Sequence, residues 1–120
     1  MNASTLIMIA VALVAFFVFK QMGSAKPEEA KALLKKGARV IDVRTEAEFR
    51  AGHLKVAKNL PLGELKELIV REVPDKSTPI LLHCASGARS GAGKRMLTEM
   101  GYQTVLNLGS FGRARSIVEE

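Results

Sequence analysis

Residues 79–90 read Pro-Ile-Leu-Leu-His-Cys-Ala-Ser-Gly-Ala-Arg-Ser. Pro79–Cys84 is an apolar run with the look of a buried strand. Ser86, Gly87, Ala88 and Arg89 are too small and polar to continue it. A helix is expected over Ser90–Met100, with Met96, Leu97 and Met100 as its buried stripe and Gly101 as its stop. In an open α/β sheet, ligands sit outside the carboxyl ends of the strands. Cys84 falls at such an end. Loop amides curling around one point make a concavity for an anion. The following helix N-terminus adds positive potential, and Arg89 adds a permanent charge. A free cysteine titrates near 8.5, and such surroundings lower that value and favour the nucleophilic thiolate. Without these neighbours, a lone cysteine reads as a small buried hydrophobe.

The elements on either side extend the pattern. Pro27–Lys36 carries helix signals: Pro27, Glu28 and Glu29 at the start, Lys35 and Lys36 at the end, then Gly37. Arg39–Val43 reads as a strand, and Thr45 with Glu48 has capping-box spacing for a short helix over Glu46–Arg50. Gly63–Glu72 is a second helix candidate, with Leu65, Leu68 and Ile69 on one face. Thr104–Leu108 reads as a strand, Gly109–Gly112 as a loop and Arg113–Glu120 as a terminal helix. Strands alternating with helices predict a central parallel sheet flanked by helices.

Leu6–Phe19 is a run of 14 apolar residues, and extending it over 3–22 gives about 30 Å of helix, the thickness of a hydrocarbon core. A membrane anchor over 1–22 is therefore expected, then a linker over 23–26 and one domain over 27–120. Met1–Thr5 lack the Lys or Arg of a signal peptide n-region, although Met22–Ala25 offers small residues for cleavage. Lys20, Lys26, Lys31, Lys35 and Lys36 all follow the apolar run, which orients a single-pass protein with its domain on the cytoplasmic side.

The chain has 120 residues, a formal net charge of +6, 5% aromatic residues and no Trp. Its basic residues are scattered among glutamates, and no stacking platform for nucleic acid is visible. The basic balance suits a solvated surface, anionic lipid or anionic substrates. One cysteine excludes an intrachain disulfide and a Cys-based zinc cage. No metal or cofactor is expected.

Several motifs in order resemble the rhodanese family. Cys84-Ala85-Ser86-Gly87-Ala88-Arg89-Ser90 is similar to its active-site loop. Val40–Arg44, then Glu48-Phe49 and Gly52-His53-Leu54, resemble its first signature, and Asn59–Leu62 the segment after it. Leu97–Tyr102 and Val105–Gly109 resemble its usual ending. The resemblance spans about Pro27 to Gly112. It implies a small α/β domain and sulfur transfer in two half-reactions. Cys84 would take sulfur from thiosulfate or a low-molecular-weight persulfide and pass it to a thiol, a protein thiol included, or to cyanide. Ala85, Ser86, Gly87, Ala88, Arg89 and Ser90 would bind the sulfur, with Arg89 stabilising the anion or leaving sulfite. Asp42, Arg44 and His53 would be structural supports. His83 precedes Cys84, and strand neighbours point to opposite faces, which argues against His83 as its base. The related cysteine phosphatases place five residues between Cys and Arg; here there are four, a tighter cradle that suits sulfur better than phosphate. The sequence departs from the family at Lys55-Val56-Ala57, where Pro-Gly-Ala is usual. It departs again at Gly109-Ser110-Phe111-Gly112, where paired glycines and a Trp are usual; Phe111 is expected to fill part of that space. A membrane-tethered binding or sulfur-relay module without turnover of its own is the alternative reading.

Overall fold

The computed structural model describes residues 2–119, and the side chains of 17–23 lie outside the described residues. Four strands form the sheet: β1 (Arg39–Asp42), β2 (Lys58–Asn59), β3 (Ile80–His83) and β4 (Val105–Gly109). Their order is β2-β1-β3-β4, and every pairing is parallel. Parallel neighbours need crossover connections, and helices supply them here. The helices are α1 (Ala3–Gly23), α2 (Pro27–Lys35), α3 (Glu46–Ala51), α4 (Leu65–Glu72), α5 (Ala88–Glu99) and α6 (Phe111–Glu119).

Strand alternation divides the core into two layers. Ile41, Ile80, Leu82 and Val105 pack with Leu65 and Ile69 of α4, Leu97 of α5 and Tyr102. Val40, Leu81 and Leu108 pack on the other face against Ala30 of α2 and Ala114 and Ile117 of α6. Both faces are covered, as parallel sheets require, which explains why β3 is buried at all four positions. Each buried Val, Leu or Ile side chain contributes roughly 1.5–3 kcal/mol by leaving water.

Element ends differ from expectation where loop geometry intervenes. The helix expected from Ser90 begins at Ala88, because Gly87 turns the chain at φ +102° immediately before it. The loop expected over Gly109–Gly112 is shorter: β4 runs through Gly109, and α6 starts at Phe111 rather than Arg113. The start expected at Gly63 splits into a 3-10 turn over Leu62–Glu64 followed by α4. The two-residue β2 lacks a run long enough to show alternation. The capping box at Thr45 and Glu48 is formed, each side chain bonding the other's backbone N–H.

The described side chains of α1 run from Ala3 to Phe16, and Leu6, Ile7, Met8, Val11, Leu13, Val14 and Phe16 are exposed. No helix among the described residues is long and apolar enough to cross a membrane. The anchor expected over 3–22 is not supported, and side chains 17–22 of that stretch lie outside the described residues.

Leu82 is fully buried between β1, β4 and α5, so Leu82→Ala should leave a cavity. The expected loss is about 2–5 kcal/mol, read as a lower urea midpoint with an unchanged slope.

Candidate active site

Cys84 follows the last residue of β3 and is only 1% exposed. Its own N–H donates to Gly109 O at 3.2 Å, which ties the strand end to β4. From there the chain curls back over the sulfur. Gly87 N–H donates to Cys84 Sγ at 3.0 Å, and Ser90 N–H and Ser90 Oγ both lie 3.4 Å from it. The Ser86 amide also acts to lower the thiol pKa. Sulfur therefore sits inside a ring of main-chain donors at the start of a twelve-residue helix.

Gly87 makes the curl possible. Its φ of +102° favours glycine, and a Cβ there would lie 3.3 Å from Gly109 Cα. The outer side of the loop is fastened to the end of β4. Phe111 N–H donates to Ala85 O at 3.2 Å, and Ser86 forms an isolated bridge with Ser110. Ala85, Ser86 and Ala88 remain exposed, so the loop meets solvent on its small side chains.

Two opposing effects act on the thiol. Burial pushes its pKa up, while the Ser90 hydroxyl and the amides of Ser90, Gly87 and Ser86 pull it down. The hydrogen bonds prevail, and the thiol titrates below its ordinary value.

Arg89 lies at the rim in a two-point pair with Glu48, at 2.6 and 3.0 Å. Each side chain is 36% exposed, so the pair is partly screened. The Arg89 hydrogen bonds, with that of the Thr45 amide, hold the Glu48 carboxyl down at about 2. Arg89 is thus not a lone cation aimed at the sulfur. Its counter-charge takes up its hydrogen-bonding fork. Glu48 looked like a helix cap in the sequence; it is also the residue that fixes Arg89.

Asp42 and Arg44 form a buried pair behind the loop. Arg44 Nε and Nη2 donate to the Asp42 carboxylate at 2.8–3.1 Å, and Nη2 also donates to Gly52 O at 2.8 Å. The Arg44 guanidinium lies 4.6 Å from the centre of the Phe111 ring, and that of Arg115 lies at the same distance. Phe111 therefore links the Arg44 pair to the loop through its ring, and to Ala85 through its N–H. His53 bonds Phe49 O through Nδ1 at 2.8 Å and stacks on the Phe49 ring. His83 turns toward Asp42, with Nε2 3.6 Å from Oδ2, too long for a hydrogen bond. Its Nδ1 lies 3.3 Å from the main-chain oxygen of Cys84. Burial lowers its pKa, which keeps the ring neutral near pH 7.

Asn107 escaped the sequence reading altogether. It is 3% exposed on β4 and bonds Gly87, Ser90 and Gly109 around the sulfur. One polar residue inside Thr104–Leu108 was the signal, since a buried amide must find partners. Among the described residues, no group of three or more His, Cys, Asp or Glu side chains could hold a metal ion.

Ser90→Ala removes a donor to sulfur, so the thiol pKa should rise. The pH profile of Cys84 alkylation by iodoacetamide checks this. Wild-type protein should have its midpoint below the ordinary thiol value of about 8.5, and the variant a midpoint above the wild type's.

Known proteins provide an independent comparison. The family model for the rhodanese-like domain matches residues 26–111. Thiosulfate sulfurtransferase PspE of Escherichia coli is 44% identical over 69 residues, covering 58% of this chain and 66% of that protein. Thiosulfate sulfurtransferase 18 of Arabidopsis thaliana is 36% identical over 102 residues, covering 75% of each chain. Among solved structures, a rhodanese with anions from E. coli superimposes with a TM-score of 0.62 at 39% identity. That match covers 64% of this chain and 91% of the other. The parallel sheet, the loop at the end of β3 and these matches agree: the chain belongs to the rhodanese-like domain family.

Proposed function

We propose that the protein is a sulfurtransferase that carries sulfane sulfur on Cys84. The observation that carries this reading is the cluster of donors from Gly87 and Ser90 around a buried thiol. The names of the E. coli and Arabidopsis relatives, both thiosulfate sulfurtransferases, support the choice of donor.

In the first half-reaction, the Cys84 thiolate attacks the outer sulfur of thiosulfate. A new S–S bond forms, the old one breaks, and sulfite leaves with the bonding pair. The persulfide's terminal sulfur carries the negative charge that the thiolate brought. Loop amides facing the site would stabilise it, as oriented donors stabilise any charge that develops where they point. A low-molecular-weight persulfide would serve as donor in the same way, releasing its thiolate. In the second half-reaction, cyanide or a thiolate attacks the terminal sulfur, forming thiocyanate or a new persulfide and returning the Cys84 thiolate. No net electrons are gained or lost by the protein. Arg89, paired with Glu48, orders the rim and lends the site a diffuse positive potential rather than a direct clamp on sulfite.

Intact mass after incubation with thiosulfate should rise by one sulfur atom, and cyanide should return it to the starting value. Cys84→Ser should show no gain. A chain that never takes up sulfur from thiosulfate or any persulfide donor, yet keeps its fold, would leave the binding-module reading in its place.

The same proposal assigns the N-terminal stretch to lipid attachment, with the domain on the cytoplasmic side. Support comes from the exposed apolar side chains of Leu6 to Phe16 and from the lysines that follow. Full-length protein should sediment with membranes, whereas residues 24–120 alone should remain in the supernatant.

A further inference from the structure

We propose that Asn107 is a positioning residue of the sulfur site: its side-chain amide holds in place the residues whose N–H groups point at Cys84. The inference concerns thiolate geometry, and it rests on the sulfurtransferase reading only for its consequence in turnover.

Asn107 stands at the third position of β4, beside the buried Leu108 and two residues after Val105. A primary amide in such surroundings costs free energy unless its polar atoms are paired. Its Nδ2 donates to Gly87 O at 3.1 Å. Its Oδ1 accepts from Ser90 Oγ at 2.7 Å and from Gly109 N–H at 2.8 Å. Each partner is one step from the sulfur. Gly87 and Ser90 supply N–H groups to Sγ, and Gly109 O accepts the N–H of Cys84 itself. One side chain therefore grips the loop, the first turn of α5 and the end of β4 together.

Strand register explains how it reaches them. Asn107 pairs with Leu82, but the next pair is His83 with Gly109, so the ladder skips Leu108. The irregularity brings Gly109 beside the strand end from which Cys84 follows. It also places the Asn107 amide under the loop.

The Ser90 hydroxyl sharpens the case. It has a single proton and three acceptors within reach: Asn107 Oδ1 at 2.7 Å, Gly87 O at 3.1 Å and Cys84 Sγ at 3.4 Å. The short Asn107 contact fixes where the hydroxyl oxygen sits, and from that position its one proton can turn to Sγ when the sulfur is ionised. By holding Ser90 from below, Asn107 keeps both its hydroxyl and its N–H next to the sulfur. Gly87 has no side chain to fix its own backbone, so its carbonyl is the handle by which that residue is held.

The test measures Cys84 alkylation by iodoacetamide against pH, together with steady-state thiosulfate kinetics, in full-length protein. Asn107→Ala should move the alkylation midpoint up by about one pH unit, a tenfold loss of thiolate below the midpoint. kcat should fall about tenfold, while KM for thiosulfate changes less than about twofold, as for a group that acts on the nucleophile rather than the donor. Ile117→Ala, a core change on the other face of the sheet, should lower stability and leave the midpoint where it is. Asn107→Ser retains polarity on the strand but cannot span to Gly87 and Ser90; it serves if the alanine variant does not fold, with the same shift expected. A folded Asn107 variant with the wild-type midpoint would overturn the proposal. Alkylation needs no sulfur donor, so that result is distinct from failure of the wild type to form a persulfide.

Discussion

The site depends on the convergence of main-chain N–H groups on one buried sulfur. An ionised thiol at 1% exposure has given up nearly all its water. Burial alone would favour the neutral form, as it does for other acids in a low-dielectric setting. The Gly87 and Ser90 donors reverse that preference because the loop points them at Sγ before any charge appears. Preorganised dipoles need no reorientation when charge develops, which is why such rings are effective in acyl and sulfur chemistry alike.

Every neighbouring interaction can be understood as holding that ring in shape. Gly87 supplies the positive φ, Asn107 grips the loop from β4, and the Phe111 N–H ties down Ala85. Behind them lies the Asp42–Arg44 pair. A buried ion pair of this kind is weak evidence for stability, since desolvation offsets much of the attraction. Its contribution here is geometric: Arg44 joins the end of β1 to Gly52 O and to the ring of Phe111. Glu48 and Arg89 do the same at the rim, at the expense of a free cation over the site.

Much of this was legible in the sequence, and the unread parts share a cause. The apolar run before Cys84, the caps at Thr45 and Gly37 and the alternation of element types lead to a parallel sheet with a loop at the end of one strand. Such signals are local and periodic. The partners of Arg89 and Asn107 are not local. Glu48 stands 41 residues from Arg89, and Asn107 stands 20 from Gly87, so only the folded sheet brings them together. The early start of α5 was missed for another reason: Gly87 reads as a loop residue, yet it is the turn that launches the helix. The apolar N-terminal run set a membrane-crossing expectation by its composition, and no helix among the described residues is long and apolar enough to meet it.

The central claim is that loop amides hold the transferred sulfur. The most direct measurement is a crystal structure of the protein after incubation with thiosulfate. The account predicts one additional sulfur bonded to Cys84 Sγ, directed into the loop and within hydrogen-bonding reach of its amides. A terminal sulfur turned away from those amides toward solvent, or sulfur bound elsewhere while Cys84 stays unmodified, would contradict it.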